Sequence, residues 1–312
     1  NYLRKGIVYR STGSWYLVKD SNGDYFNCRI KGKFRSKGIK STNPIAVGDE
    51  VDFDITDKND KSIGLIHEIF SRRNYIIRKS VNLSKQTHII AANIDQVFLL
   101  VTLNNPKTLL SFVDRFLVSA KAYHIKVIII FSKIDIYLKD DIINLNKISN
   151  IYEKVGYECY KISSFNSVDI TFLKKLMKKK VNMIAGNSGV GKSTLLNSID
   201  SKLKIKTSPI SGHYNKGQHT TTFAQMYDIG NNIKVIDTPG IKGFGIVDLE
   251  THEIRKYFSE FERYSGKCKF QNCLHNEEPG CQIKEAVENK KISLSRYKNY
   301  ISLIVNNSKL RN

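Results

Sequence analysis

From residue 1 to about residue 70 the chain alternates apolar and polar positions in short runs. These include Gly6-Ile7-Val8-Tyr9, Trp15-Tyr16-Leu17-Val18, Tyr25-Phe26-Asn27-Cys28-Arg29-Ile30 and Val51-Asp52-Phe53-Asp54-Ile55. Turn signals at Ser21-Asn22-Gly23-Asp24 and Val47-Gly48-Asp49-Glu50 separate them. About five strands in so short a stretch predict a small closed barrel, most plausibly an OB-fold. The pattern then changes. Val127-Ile128-Ile129-Ile130-Phe131, Glu158-Cys159-Tyr160-Lys161-Ile162, Val181-Asn182-Met183-Ile184-Ala185 and Ile233-Lys234-Val235-Ile236 are strand-like runs. Near-continuous apolar strands of this kind belong to a mostly parallel sheet covered on both faces. Thr194-Leu195-Leu196-Asn197 continues as helix, and residues 296–304 read as a basic amphipathic helix able to pack on the domain, touch RNA, or both. The expected organisation is multi-domain: a barrel over 1–72, an α/β domain over 73–258 and a mainly α tail over 259–312.

The chemistry lies at the ends of those strands. Residues Gly186-Asn187-Ser188-Gly189-Val190-Gly191-Lys192-Ser193 form a complete G-x-x-x-x-G-K-S phosphate loop, followed by Thr194, between a strand and a helix. Its glycines let backbone N–H groups close around phosphate oxygens, and the helix N-terminus adds partial positive charge. Lys192 is suited to the β- and γ-phosphates and the Ser193 hydroxyl to Mg²⁺. Asp237-Thr238-Pro239-Gly240 ends a later strand, which suits Asp237 to the Mg²⁺ shell and the Gly240 N–H to the γ-phosphate. Between them, Gly217-Gln218-His219-Thr220-Thr221-Thr222 has the place of a switch loop, with Thr222 offered to Mg²⁺. Ser132-Lys133-Ile134-Asp135 follows the Val127–Phe131 strand. A carboxylate there accepts two hydrogen bonds from guanine that adenine cannot offer. Ser163 and Ser164 sit where a second guanine-contacting loop falls, although a solvated serine turn fits that pair nearly as well. The base motif thus precedes the phosphate loop, the reverse of an ordinary GTPase. A circular permutation produces this order without altering sheet or site.

The tail contains Cys268, Cys273, His275 and Cys281 in a C-x4-C-x-H-x5-C spacing. Three thiolates and an imidazole can close a tetrahedral, structural Zn²⁺ site. Cys28 and Cys159 fall in strand-like runs and are expected to be core thiols. Fifty Lys and Arg against 29 Asp and Glu give a net charge of +21, which points to a polyanionic partner. Lys31, Lys33, Arg35, Lys37 and Lys40 crowd one barrel loop as a candidate RNA-backbone surface, and a solvated loop fits them equally. Arg72, Arg73, Arg78 and Lys79 carry the basic stripe onward. No apolar run approaches a spanning helix and no signal peptide is visible, so no membrane partner is expected. Five cysteines are too few for a secreted disulfide scaffold, and the cytoplasm is the expected compartment. An organellar stroma is the alternative if a leader preceded Asn1.

Together these motifs resemble the circularly permuted ribosome small-subunit-dependent GTPase A family of bacteria and plastids. The resemblance covers nearly the whole chain. It implies an N-terminal OB-fold, a permuted GTPase domain and a C-terminal zinc domain. It also implies GTP hydrolysis stimulated by the small ribosomal subunit, a role in that subunit's late maturation, and contact with its rRNA. A monomer is expected. One departure stands out: the family's base motif usually begins with asparagine, which touches the base and braces the phosphate loop. Ser132 is shorter, so lower nucleotide affinity is expected while Asp135 still sets guanine over adenine. Ile241 holds the place of the glutamine that orients water in many GTPases and has no donor or acceptor. Slow hydrolysis by the free protein follows. His219 is the nearest polar candidate for catalysis, with a solvated residue or an RNA contact as an equal reading. An RNA adaptor holding GTP as a structural ligand, or an ATP-dependent P-loop enzyme, are the competing functions, and Asp135 argues against the latter.

Overall fold

A computed structural model describes residues 3–30, 44–56, 62–79, 87–205, 223–230, 232–238 and 249–309. The alternating N-terminal pattern folds into strands β1 (Arg4–Ser11), β2 (Tyr16–Asp20), β3 (Tyr25–Ile30), β4 (Glu50–Ile55) and β5 (Ile63–Ile69). They run in the order β1-β2-β3-β5-β4, and β4 pairs back onto β1 to close the barrel. β3 and β5 are parallel, the pairing that makes this Greek-key barrel an OB-fold. Every second residue points inward, so Val8, Tyr16, Val18, Phe26, Cys28, Val51, Phe53 and Ile66 fill the interior.

The linker is less available than its charge suggests. Arg72 grips the buried Asp49 through Nε and Nη2, both at 2.6 Å, and its side chain is only 7% exposed. It holds the turn that leads into β4 and is not a free RNA contact. Arg73 donates to Asp95 at 3.0 Å. A hairpin, β6 (Tyr75–Lys79) and β7 (Thr87–Ala92), leads into the main sheet.

That sheet comprises β8 (Gln96–Val101), β9 (Lys126–Ser132), β10 (Glu158–Ile162), β11 (Val181–Ala185), β12 (Gln225–Ile229) and β13 (Ile233–Asp237). The order is β10-β9-β8-β11-β13-β12, parallel except for β12. Helices cover both faces. Helix α1 (Leu110–Ala122) and helix α2 (Lys139–Lys154) pack on one face, against Val97, Leu99, Ile129, Phe131 and Met183. Helix α3 (Ser167–Met177) and helix α4 (Lys192–Ile199) pack on the other, against Phe98, Leu100, Ile128, Ile130 and Ile184. Alternate residues of one strand thus serve opposite cores, which is why the central strands read as near-continuous apolar runs with few polar positions. Cys28 is fully buried and Cys159 half-buried.

β12 also pairs with the barrel, Arg10 opposite Gln225. Beside that junction the buried Tyr9 hydroxyl donates to Asp228 at 2.8 Å and accepts from Lys234 at 2.6 Å, while Lys19 approaches the other Asp228 oxygen at 2.5 Å. Burial pushes the Asp228 carboxyl up, but these donors outweigh it and hold it at about 2.

The tail comprises short 3-10 turns at Ile254–Tyr257 and Ser259–Phe261, then α5 (Glu262–Ser265), α6 (Gln282–Glu288) and α7 (Leu294–Lys309). Ile254, Phe258, Phe261, Ile283, Tyr300 and Ile304 form its core, joined by Val118 of α1. The basic helix packs on the domain: Arg296, 2% exposed, is buried between Asp114 and Glu260.

Candidate functional site

The C-terminal ends of the parallel strands gather the phosphate loop, the Ser132–Asp135 motif, Ser163 and Asp237 at one edge, where loops must leave the sheet and ligands bind in open α/β folds. Ile184 of β11 is in register with Asp237 of β13, so the phosphate loop and the D-x-x-G carboxylate emerge side by side. Gly186 has φ 148°, and a Cβ there would stand 2.8 Å from the Leu100 carbonyl oxygen. Gly191 has φ 102° at the N-cap of α4. Space and backbone exclude a side chain at Gly186, and the positive φ strains one at Gly191, which explains the glycines before any ligand is considered. The Lys192 ammonium lies inside the loop and donates to the carbonyls of Gly186 and Asn187, each at 2.8 Å.

Burial sets the electrostatics. It pulls Lys192 down to about 8, against the pull of Asp237, and pushes Asp237 up to about 6, against Lys192. Each group is displaced toward neutrality, so their mutual attraction does not offset the lost hydration. A site with this deficit favours a ligand that brings its own charge. Ser193 in the first turn of α4 and the Asp237 carboxylate supply hard oxygen donors, the type Mg²⁺ prefers. Thr238 donates to the Ile184 carbonyl at 3.0 Å and fixes the start of the following segment.

The base motif meets the phosphate loop directly. The buried Ser132 hydroxyl donates to the Val190 carbonyl at 2.9 Å. A brace of the phosphate loop therefore persists with the shorter side chain. Lys133 adopts a left-handed conformation, φ 61°, and its ammonium donates to the Asn105 carbonyl at 2.7 Å. Burial lowers its pKa, with Asp135 opposing. Ile134 and Asp135 begin a 3-10 turn, and Asp135 is exposed with one carboxylate oxygen accepting from Ser163 at 2.7 Å. The two base loops are thereby joined. Ser163 is in turn held by its N–H to Asp169 at 2.8 Å, and Ser164 is half-buried beside it. Asn187, Ser188, Gly189 and Thr194 complete the loop and first turn. His219, Thr222 and Gly240 lie outside the described residues, as do Lys31, Lys33, Arg35, Lys37 and Lys40.

Sequence reasoning missed the loop after β8. Pro106 stands against Gly189, its Cδ 3.3 Å from where a Cβ would be. Tyr137 donates to the Ser132 carbonyl at 3.1 Å and accepts from the Leu103 N–H at 2.8 Å, tying this loop to the base motif. Thr102 and Thr108 close the loop on itself. The signal was present: an apolar run ending in Asn104-Asn105-Pro106 marks a strand and a turn.

The tail brings its four predicted ligands together. The donor atoms of Cys268, Cys273, His275 and Cys281 all lie within 4.8 Å of one another. His275 Nδ1 is 3.6 Å from Cys268 Sγ and 3.4 Å from Cys281 Sγ. Tetrahedral bonds of about 2.3 Å to sulfur and about 2.0–2.1 Å to nitrogen require S···N edges of about 3.5 Å, so the cluster fits a zinc-sized ion. Neighbours hold the ligand loop. Tyr297 donates to the His275 carbonyl at 2.7 Å, Arg255 to the Cys273 carbonyl at 2.6 Å, and Glu278 accepts from the N–H groups of Leu274 and Asn276 at 2.6 and 2.8 Å. No helix among the described residues is long and apolar enough to cross a membrane.

Comparison with known proteins agrees with this geometry. The RsgA GTPase family model matches residues 69–247 and the RsgA N-terminal domain model residues 5–63. The small ribosomal subunit biogenesis GTPase RsgA of Flavobacterium johnsoniae is 56% identical over 299 residues, 96% of this chain and 92% of that protein. The protein of the same name from Christiangramia forsetii is 54% identical over 300 residues, 96% of this chain and 95% of its own. The crystal structure of YjeQ from Thermotoga maritima superposes with a TM-score of 0.77 at 34% identity, covering 98% of both chains. YloQ, described as a circularly permuted GTPase, superposes at 0.72 and 26% identity over 98% of this chain and 95% of its own. A barrel annealed to a permuted phosphate-loop sheet, closed by a Cys3His tail and matched in sequence along nearly its whole length, has one assignment: the chain belongs to the RsgA GTPase family.

Proposed function

We infer that the protein is a GTP hydrolase acting in biogenesis of the small ribosomal subunit, in its late maturation, through contact with subunit rRNA that stimulates hydrolysis. The observation that carries the reading is the joining of the Ser132–Asp135 motif to the phosphate loop through Ser132 and Val190 at the edge that also carries Asp237. In this reading Asp135, steadied by Ser163, selects guanine, and Lys133 packs its stem along the base. Residues 186–194 hold the phosphates, with Lys192 released from the two carbonyls it now engages. Ser193, Asp237 and Thr222 would hold Mg²⁺, which supplies charge neutralisation between the phosphates. Gly240 would meet the γ-phosphate and His219 the attacking water. Cys268, Cys273, His275 and Cys281 would hold one structural Zn²⁺, a closed set that organises the tail. The barrel loop from Lys31 to Lys40 would contact RNA. We take the domains as 1–72, 73–258 and 259–312, and the protein as a monomer working where small subunits assemble, in the cytoplasm.

Single-turnover GTP hydrolysis with and without small subunits tests the reading. Stimulation by small and not large subunits is expected, with co-sedimentation stronger in a non-hydrolysable GTP analogue than in GDP. Equal rates with either subunit would falsify it.

A further inference from the structure

The N-terminal ends of the parallel strands form the edge opposite the nucleotide site. Strand β11 has five residues, so this edge lies about 16 Å from the phosphate loop. Helix α3 ends here at Met177, and Lys174, Lys175, Lys178, Lys179 and Lys180 crowd its last turn and the entry to β11. Between that segment, the β12–β13 turn and the barrel lies a groove of about 680 Å³ lined by Lys19, Lys179, Lys180, Gly230, Asn232 and Lys234.

The charge is unbalanced. The groove has two carboxylates, and both are matched: Asp95 by Arg73 and the Val181 N–H, Asp228 by Lys19 and Lys234. Lys180 is turned inward to Gln96 and the Leu176 carbonyl. Lys175, Lys178 and Lys179 are exposed, and no ion pair to them or to Lys174 is found among the described residues. The negative end of α3 favours Lys174, Lys175 and the C-cap Lys178, but one helix terminus does not call for three cations, and Lys179 lies beyond it. No large hydrophobic residue of 171–181 or 225–234 is strongly exposed, so nothing here is suited to enter a lipid surface.

We propose that this edge is an RNA-binding surface, where Lys175, Lys178 and Lys179 grip the phosphate backbone of small-subunit rRNA beside the barrel. It rests on the reading of the protein as a small-subunit factor. The surface lies on the far side of the sheet from the nucleotide, so it anchors RNA without covering the GTP site. Its groove also touches the β12–β13 turn and Lys19 of the barrel, placing one RNA strand across the junction of two domains.

The test uses the full chain carrying Lys175→Glu, Lys178→Glu and Lys179→Glu, with the corresponding triple Gln variant as a gentler control. Affinity for small subunits, and for protein-free small-subunit rRNA, is measured across a salt series. Each lost phosphate contact removes about 0.7–0.9 from the slope of log K against log salt, so both variants should be shallower by about 2–3 on either probe. Binding at low salt should weaken at least about tenfold. GTP affinity and the unstimulated hydrolysis rate should match wild type, since among the described residues no hydrogen bond or ion pair links these side chains to the nucleotide site, which lies at the other end of the strands. Wild-type slope and affinity for rRNA in both variants overturn the proposal. So does loss of binding to anionic phospholipid vesicles with rRNA binding unchanged. Wild-type protein that binds rRNA through this edge but never binds assembled subunits would leave the surface standing and sink the functional reading instead.

Discussion

Removing Arg296 should unlatch the C-terminal domain from the GTPase domain. Its guanidinium donates through Nη1 to Asp114 at 2.6 Å and through Nε and Nη2 to Glu260 at 2.5 and 3.0 Å. The three side chains are 2%, 0% and 8% exposed. It also lies 4.9 Å from the Phe258 ring centre. Arg296→Ala leaves two carboxylates buried without a cation, the circumstance in which breaking a buried pair costs about 3–5 kcal/mol. Asn299 still donates to Asp114 and offsets only part of this. The deficit should depend on pH. Burial raises the Asp114 carboxyl, and Arg296 opposes it. Deleting the arginine removes the opposition, so the folded value climbs further above the unfolded one. A carboxyl raised on folding binds more protons in the native state, and its stability is lost as pH rises through the folded value. The variant should therefore be worse at about pH 8 than at about pH 5. Hydrogen exchange reads this locally: protection in α1 and α7 should fall by about 10²–10³, converting about 3–4 kcal/mol at 1.4 kcal/mol per decade. A fall under about fivefold, or a deficit that shrinks at high pH, would refute the account.

The remaining expectations concern the other joints. Chelation at neutral pH should release about one Zn²⁺ per chain and unfold the tail while GTP binding survives; elemental analysis without metal would refute it. Ser132→Ala should weaken GTP binding by about 1 kcal/mol, roughly fivefold, because the Val190 carbonyl loses its donor; an unchanged Kd by nucleotide titration would show that the brace does not bear on binding. Tyr9→Phe should destabilise the barrel–sheet junction by about 1.5–3 kcal/mol, because the hydroxyl serves two charged partners; wild-type exchange rates in β12 would refute it.

What the sequence alone determined is what short spans encode. The phosphate loop was legible because two glycines need conformations other residues resist, and a strand and a helix must flank it. Strands β9, β11 and β13 were legible as apolar runs and β10 as a strand-like one, and the metal ligands as a spacing within fourteen residues. The barrel was legible as alternation, although β5 was not individually visible. Tertiary structure decided everything that joins distant positions. Arg72 and Arg296 carry the same charge as the exposed lysines, yet each is consumed by carboxylates far along the chain, Asp49 and Asp114. Only folding brings those partners near enough for desolvation and pairing to settle the role. The loop after β8 reaches Gly189 through space, and the hydroxyl of Ser132 reaches Val190 across 58 positions of sequence. The basic edge is likewise collective: Lys179 and Lys234 meet because β11 and β13 are parallel and begin at the same side of the sheet, and Lys19 joins them because the barrel pairs with β12 through β1.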